Sequence, residues 1–317
     1  MAASADLGVR AAPLAPVLSL LVVVYDMPGQ ARRTLQSLSP AYQENARAED
    51  YEVIVVENAS PRLLGREAAE STGPNVRYFP REDTSGTPVG AMNFAASQAR
   101  GAMLAALVDG ARLLSPGIVE LGLMAHRAAP GAVLAVPGYH LGSELQQKAV
   151  ESGYDEAAEA RLLEQIAWPS DGYRLFDIAC LSGSCAGGFF APFAESNCLC
   201  VPRSHFEQLG GFDPAFVSAG GGYVNLDFYR RVCELPETTL FVAPGEGTFH
   251  QFHGGVTTGG VRDAERARLM TDIGAEYRSV RGRPFASPTR EPFYLGKIPA
   301  NARRFVQRSA RTWGDLR

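Results

Sequence analysis

The sequence predicts an α/β fold in which a mixed, mostly parallel sheet is flanked by helices. Apolar runs of strand length alternate with helical patterns through the first half of the chain, which is typical of parallel strands joined by helices. The runs are apolar almost without interruption, as in VLSLLVVVY at residues 17–25, and this pattern indicates strands buried on both faces. Several of them stop at polar residues. Because ligands bind outside the carboxyl ends of strands in such sheets, we expect the binding site at that edge.

Four strands are predicted in the first half of the chain. They are, in order, residues 17–25, 51–60, 75–80 and 103–110. The spacing of Leu35 and Leu38 predicts a helix after the first strand, and the segment GTPVGAMNFAASQARG predicts a glycine-led helix before the fourth. The order of strands and helices therefore favours crossover connections.

The second half of the chain is less regular. LLSPGIVELGLMAHRA predicts a helix that starts after Ser-Pro, and GAVLAVPGYH predicts one further strand. The pattern then loosens between residues 141 and 192, apart from a helix in DEAAEARLLEQIAW. ESNCLCVPRSHFEQLGGFDPAF predicts a strand, a helix and a Gly-Gly turn, VNLDFYRRVCEL a helix and TTLFVAP a strand. We expect a flexible leader at residues 1–16, one domain at 17–259, and a C-terminal helical extension at 260–317 that packs on or closes the active site.

Composition restricts the class of protein. Of 317 residues, 46% are hydrophobic and 20% are charged, and the net charge of -4 gives no basic surplus for binding nucleic acid. No apolar run approaches the roughly 20 residues of a membrane-spanning helix. Five cysteines without a repeated spacing predict reduced thiols in a cytoplasmic protein. The sequence is compatible with a homodimer.

Asp109 marks the end of the fourth predicted strand, in MLAALVDGARLLSPG. An ionised carboxylate is costly to bury unless it is paired, so a buried strand that ends on one needs an explanation. A helix cap or turn is one explanation. A ligand directed at a cation is the other.

Four segments in order resemble the conserved blocks of GT-A glycosyltransferases of the family 2 type. They are LSLLVVVYDMPGQARRTLQSL, YEVIVVENAS, GAMNFAASQARGAMLAALVDGARLLSPG and CVPRSHFEQLGGFDPAFVSAGGGYVNLDFYRR. The resemblance covers about residues 17 to 255 and implies a GT-A, Rossmann-like fold that binds a nucleoside-diphosphate sugar. It also implies that Tyr25 and Glu57 hold the base and ribose. The residues predicted to lie at the nucleotide are Tyr25, Glu57, Asn58, Arg81, Asn93, Val108, Asp109 and Gly110.

The resemblance further implies a divalent metal ion on the diphosphate. Asp109 occupies the first position of the family's Asp-x-Asp element, but Ala111 stands at the second. Hard oxygen ligands suit Mg²⁺ or Mn²⁺. His250 and His253, in EGTFHQFHGG, are candidates for the remaining ligands, and imidazole favours Mn²⁺ over Mg²⁺. On a strand these two histidines would face opposite sides, so we expect their substitutions to differ in effect.

The general base is the second departure from the family pattern. Asn225 stands where the family has the aspartate that deprotonates the acceptor, and an amide cannot accept that proton. Three alternatives remain open. Asp227 could serve, Glu195 in FAESN could serve from its apolar surroundings, or the transfer could retain the anomeric configuration with the leaving phosphate accepting the proton.

Two glycine-rich segments complete the predicted site. Gly221 and Gly222, in SAGGGYVN, are predicted to approach the acceptor, because glycine lets the backbone come close to a ligand. HGGVTTGG, which begins at His253, is a candidate lid over the bound donor.

The sequence thus predicts a metal-dependent glycosyltransferase that moves a sugar from a nucleoside diphosphate to an acceptor hydroxyl on a sugar or small molecule. A catalytically silent nucleotide-sugar binding module is the alternative, since Ala111 and Asn225 both replace residues that the chemistry uses. A sugar nucleotidyltransferase is disfavoured because the first strand leads into YDMPGQ and not into a glycine-rich loop with a basic residue.

Overall fold

A computed structural model of the chain describes residues 15–254 and 263–315. Most of the predicted leader, and the part of the predicted lid that follows Gly254, lie outside these residues. The ten helices found in the described residues are α1 (Pro28–Ser37), α2 (Arg66–Glu70), α3 (Val89–Gln98), α4 (Ile118–Ala128), α5 (Gln146–Ala149), α6 (Glu156–Gln165), α7 (Arg203–Gln208), α8 (Val224–Glu234), α9 (Asp263–Arg281) and α10 (Arg303–Asp315).

A large sheet of eight strands forms the centre of the molecule. The strands are β1 (Leu18–Val24), β2 (Tyr51–Asn58), β3 (Val76–Arg81), β4 (Met103–Leu107), β6 (Ala132–Ala135), β9 (Leu199–Pro202), β10 (Thr239–Val242) and β12 (Phe293–Tyr294). Their order across the sheet is β12-β10-β6-β9-β4-β1-β2-β3. β9 runs antiparallel to both of its neighbours, and all other neighbours are parallel. The predicted mixed, mostly parallel sheet is therefore confirmed.

Alternate residues of the central strands enter two separate hydrophobic clusters, one on each face of the sheet. In β1, Leu21 and Val23 pack with Met92 of α3, whereas Leu20 and Val22 pack in the cluster that contains α1 and α4. Every residue of β1, β2 and β4 is buried. Covering both faces explains why these strands read as continuous apolar runs.

The described residues also form a second, smaller sheet of four strands. It contains β5 (Arg112–Leu114), β7 (Gly138–Leu141), β8 (Ala179–Leu181) and β11 (Thr248–His250), in the order β5-β11-β7-β8. β11 is parallel to β7 and antiparallel to β5. These short strands bring residues from four distant parts of the sequence into one row.

The structure differs from the sequence prediction at residues 131–140. The single predicted strand is two strands, β6 and β7, in different sheets, with Val136 and Pro137 between them. Proline lacks the N–H that a central strand needs, which favours a break at this position.

The region after residue 260 contributes to the core sheet as well as packing on it. β12 adds to the large sheet beside β10, and α9 and α10 bury Ile273, Tyr277 and Phe305. The helices predicted there are present, while the domain boundary at residue 260 stays a prediction.

The five cysteines, all within the described residues, form no disulfide. None of the helices in residues 15–254 and 263–315 has the length and apolar character that crossing a bilayer requires.

Glu246 is a buried carboxyl group in the segment between β10 and β11. It is 1% exposed and accepts hydrogen bonds from the Ser115 hydroxyl, the Gly117 N–H and the Tyr173 hydroxyl. Burial raises its pKa from 4.5 to about 7, although these donors and the nearby Lys297 favour the ionised form. Between pH 4.5 and about pH 7, Glu246 therefore holds a proton in the folded chain that it has lost in the unfolded chain.

We expect the free energy of unfolding to fall as pH rises from about 5 to about 7, because ionising buried Glu246 opposes folding. Glu246→Gln removes this contribution, which a raised pKa of this size makes about 3 kcal/mol. Urea unfolding at about pH 5 and about pH 8 checks it. The variant should lose less stability across this range than the wild type, while Glu44→Gln, at an exposed position, should behave like the wild type. Equal losses in all three proteins would contradict the assignment.

Candidate active site

Polar residues follow the ends of four adjacent strands at one edge of the large sheet. β3, β2, β1 and β4 are neighbours and run parallel, so their carboxyl ends lie at the same edge. Arg81 ends β3, Asn58 ends β2, Tyr25 follows β1 and Asp109 follows β4 by two residues. The edge predicted from the sequence is therefore present.

Asp109 lies against two histidines from the far end of the domain. Its Oδ2 atom is 2.9 Å from His250 Nε2 and 3.5 Å from His253 Nε2, and the two Nε2 atoms are 3.2 Å apart. The expectation that the histidines face opposite sides of a strand is wrong. β11 ends at His250, so His253 lies beyond the strand and is free to turn back toward Asp109.

The turn after β11 is held by contacts to Phe252, which lies between the histidines. Its carbonyl accepts a hydrogen bond from Gln30 Nε2 at 2.7 Å, and its N–H donates to Glu159 Oε2 at 2.7 Å. Gln30 comes from α1 and Glu159 from α6, so both sides of the backbone are fixed. This arrangement positions His250 and His253 toward the same carboxylate.

Arg112 and His140 join the cluster through the small sheet, and sequence reasoning missed both. Arg112 lies opposite His250 in the β5–β11 pair, and His140 lies opposite His250 in the β7–β11 pair. Arg112 Nε is 3.9 Å from Asp109 Oδ2, and the side chain is 11% exposed. The Nε atom is buried and has no hydrogen-bond partner among the described residues. Two features of the sequence could have indicated them. Arg112 is a charged residue beside the apolar pair Leu113 and Leu114, and His140 ends the segment GAVLAVPGYH.

The cluster shifts the pKa of each of its members. Burial would raise the pKa of Asp109, but His253 and His250 outweigh burial and hold its pKa well below the usual value. Burial lowers the pKa of His250 to about 4, so its imidazole is neutral. Burial opposes charge on His253 too, but Asp109 outweighs it and raises the pKa of His253. Burial, with His250 and Arg112, lowers the pKa of His140 well below its usual value.

Asp109, His250 and His253 fit a divalent metal ion. One ligand atom from each lies within 4.8 Å of the others, and the set combines a carboxylate oxygen with two imidazole nitrogens. Such a set suits Mn²⁺ better than Mg²⁺, which prefers oxygen ligands.

The predicted nucleotide-binding residues have different surroundings. Tyr25 is 49% exposed at the edge, and Asn58 is buried with an Oδ1 atom that has no partner among the described residues. Arg81 stacks on Phe94, and its Nη1 atom is buried and has no partner there either. These three side chains retain groups that a ligand can contact.

Glu57 is different, because its carboxylate is already used within the protein. It accepts hydrogen bonds from the N–H groups of Leu64 and Gly65 and from the Tyr78 hydroxyl, at 2.7 to 3.0 Å. The geometry therefore gives Glu57 a role in holding the loop after β2.

Asn93, Val108 and Gly110 also serve the framework of the site. The Asn93 amide donates to the Phe212 carbonyl and accepts from the Phe212 N–H. Val108 packs against the core cluster. A Cβ atom on Gly110 would lie 2.5 Å from the Val23 carbonyl oxygen, so only glycine allows the segment after β4 to lie this close to β1.

Glu195 and Asn225 are in direct contact. Asn225 Nδ2 donates to Glu195 Oε2 at 2.8 Å, and Asn197 Nδ2 donates to the same oxygen at 3.1 Å. Ala106 pairs with Leu199 in the antiparallel β4–β9 pair, so Glu195 and Asp109 both lie beyond the same end of that pair. Within the described residues the other carboxylate oxygen of Glu195 makes no hydrogen bond.

Asp227 is buried in an ion-pair network. It is 1% exposed and contacts Arg231 Nε at 2.8 Å, Arg281 Nε at 2.6 Å and Arg281 Nη2 at 2.7 Å. Arg281 ends α9 and also contacts Asp213 at 2.7 Å. Both carboxylate oxygens are therefore engaged, and Asp227 joins α9 to α8.

The predicted acceptor glycines form a turn just before α8. In space this turn lies near the start of α3 and against α9. Gly221 and Gly222 have φ angles of 90° and 51°, which favour glycine. Glu276 of α9 accepts hydrogen bonds from the N–H groups of Val217 and Ser218 and so fixes the preceding segment. Contact with an acceptor stays a prediction.

The sequence profile described as glycosyl transferase family 2 matches residues 19–194, more than half of the chain. This chain belongs to glycosyl transferase family 2. The matched segment contains the strand edge and Asp109, and the family performs glycosyl transfer from nucleotide sugars. Glu195, Asn225, His250 and His253 of this glycosyltransferase lie outside the matched segment. Comparison with curated protein sequences finds no match.

Solved structures of other proteins resemble the chain in fold. S. aureus TarS residues 1-349 in complex with UDP-GlcNAc is 13% identical, with a TM-score of 0.50, 83% of this chain covered and 66% of that chain. The mannosyltransferase PcManGT from Pyrobaculum calidifontis in complex with GDP-Man and Mn²⁺ is 16% identical, with a TM-score of 0.49, 96% of this chain covered and 72% of that chain. In a longer TarS structure this chain covers 40% of the length. The predicted GT-A fold is confirmed.

We expect Asp227→Asn to lower the free energy of unfolding by about 3 kcal/mol, because it removes the buried carboxylate that pairs with both Arg231 and Arg281. Urea unfolding measures the loss. Asp50→Asn, which breaks the more exposed pair with Arg47, should cost less than about 1 kcal/mol. A stable Asp227→Asn enzyme that has lost turnover would instead assign Asp227 to catalysis.

Proposed function

We propose that this enzyme is a metal-dependent glycosyltransferase that moves a sugar from a nucleoside diphosphate to the hydroxyl of a sugar or small-molecule acceptor. The observation that carries the proposal is the convergence of Asp109, His250 and His253 at the edge of the sheet where a nucleotide would lie. Mn²⁺ is the preferred cation, with Mg²⁺ as the second candidate, and it would neutralise negative charge on the diphosphate.

Arg112 supports a diphosphate at this position. Its side chain is largely buried beside Asp109, and its Nε atom has no hydrogen-bond acceptor among the described residues. A buried cation without full pairing is costly, and a diphosphate supplies the missing anion. In this proposal Tyr25, Asn58 and Arg81, which lie along the same edge, contact the nucleoside.

Glu195 is the proposed general base. Asn225 and Asn197 hold one of its oxygens by donating hydrogen bonds, which leaves the second oxygen to accept a proton. The acceptor hydroxyl gives its proton to Glu195 while its oxygen forms a bond to the anomeric carbon, and the bond from that carbon to the diphosphate breaks. Asn225 therefore positions the base in this scheme, and the configuration of the sugar inverts.

We expect UDP, GDP or dTDP together with Mn²⁺ to raise the unfolding temperature of the wild type, because a ligand of the folded state stabilises it by mass action. Asp109→Ala should lose the Mn²⁺-dependent part of this shift and all turnover. A thermal shift panel with and without Mn²⁺ or Mg²⁺ checks the binding, and nucleoside diphosphate release checks turnover.

Asp50→Ala is the matched control for this panel. Asp50 has a side-chain exposure of 25%, close to the 23% of Asp109, but it lies just before β2 at the opposite edge of the sheet. It should retain the full shift. Unchanged metal dependence in Asp109→Ala would contradict the metal site, and nucleotide binding without turnover in the wild type would favour a silent binding module.

We expect Glu195→Gln to lower the turnover number 10²- to 10⁴-fold, because the amide cannot accept the acceptor proton. The nucleotide-induced thermal shift should stay unchanged, since the binding groups are intact. Rate measurement with the donor identified by the panel, with analysis of the product's anomeric configuration, checks this. Wild-type rates together with retained configuration would favour transfer in which the leaving phosphate takes the proton.

A further inference from the structure

Gln146 lies at the start of α5, between two histidines of the small sheet. It is fully buried. Its side-chain Nε2 donates to the His250 carbonyl at 2.9 Å, which identifies this atom as the amide nitrogen. The other side-chain atom, Oε1, lies 2.6 Å from His250 Nδ1 and can only accept a hydrogen bond.

His250 Nδ1 therefore carries a proton, because the Gln146 oxygen that it contacts can only accept a hydrogen bond. A neutral imidazole carries one N–H, and the hydrogen bond made by one nitrogen decides the state of the other. With Nδ1–H donating to Gln146, the Nε2 atom keeps its lone pair. That atom faces Asp109 Oδ2 at 2.9 Å and His253 Nε2 at 3.2 Å, so it is free to bind a cation.

The neighbouring His140 receives the opposite arrangement from the same residue. The backbone N–H of Gln146 donates to His140 Nδ1 at 3.0 Å, so the proton of neutral His140 is on Nε2. A protonated nitrogen cannot coordinate a metal ion. His140 lies directly opposite His250 in the β7–β11 pair, and their ring centroids are 5.4 Å apart.

We propose that Gln146 is a positioning residue that makes His250 a metal ligand through Nε2 and excludes His140 from that role. The inference rests on the metal site proposed above. Without the Gln146 side chain nothing holds the proton on His250 Nδ1, and the Asp109 carboxylate attracts it to Nε2 instead. The ligand atom is then blocked. Partners that fix the tautomer of a metal-binding histidine typically contribute 10- to 100-fold in affinity.

The first test reads the tautomers of the full chain without metal. Long-range ¹H–¹⁵N correlation spectra of histidine-labelled protein, assigned with His140→Asn and His250→Asn, distinguish N–H from bare ring nitrogens. We expect Nδ1–H on His250 and Nε2–H on His140. Nε2–H or a doubly protonated ring on His250 would overturn the proposal, and this readout does not depend on metal binding or activity.

The second test changes Gln146. Gln146→Leu should move the His250 proton to Nε2 and weaken Mn²⁺ binding, measured by electron paramagnetic resonance, 10- to 100-fold. Gln146→Glu keeps an oxygen opposite Nδ1 and should restore the Nδ1–H tautomer and most of the affinity. Retention of tautomer and affinity in Gln146→Leu would overturn the proposal. If that variant does not fold, the Gln146→Glu and wild-type spectra decide.

Gln43 provides the matched control. It is also a buried glutamine bonded to backbone, since it donates to the Ser37 and Ser115 carbonyls and accepts from the Val119 N–H. Gln43→Leu should lose stability without changing the histidine spectra or the Mn²⁺ affinity. If the wild type shows the expected tautomers but binds no Mn²⁺, the proposed metal site fails and the tautomer assignment stands.

Discussion

The arrangement of the site depends on the cost of holding the Asp109 carboxylate beside the end of a buried strand. An ionised carboxylate with 23% of its side chain exposed needs positive charge or hydrogen-bond donors nearby. Only the Ala111 N–H donates to it from its own loop. The remaining compensation comes from His253 and Arg112, which belong to other parts of the chain. The small sheet and the turn at Phe252 are the structures that deliver these groups.

The small sheet brings these side chains together through the pairing of very short strands. β5 and β11 have three residues each, so neither could form a stable sheet alone. The pairing of β11 with β5 on one side and β7 on the other fixes which side chains lie side by side, and it puts Arg112, His250 and His140 in one row. Glu246 fixes the chain that follows β5, because it accepts hydrogen bonds from Ser115 and Gly117 as well as from Tyr173.

The sequence predicted what long apolar runs and strand ends can indicate. β1, β2 and β4 are buried on both faces, and their pattern was unambiguous, so the edge carrying Asp109 could be found. Strands of three or four residues show no periodicity, so the break between β6 and β7 and the row containing Arg112 could not. Asp227 illustrates a different limit. The motif NLDFYRR identified Asp227 as a candidate base but could not show that it is paired. Its partner Arg281 is 54 residues away in the sequence, and only the fold brings the two together.

The loss of a second acidic residue at Ala111 changes the charge of the site as well as its ligand count. Arg112 follows directly and contributes a positive charge, which balances the negative charge of Asp109. A divalent cation at His250 and His253 therefore adds two uncompensated charges to a poorly solvated region, where charge interactions are strong. A diphosphate supplies the negative charge that this arrangement lacks. In the proposed scheme the cation and the donor would therefore depend on each other for binding, since each would provide the countercharge that the protein does not.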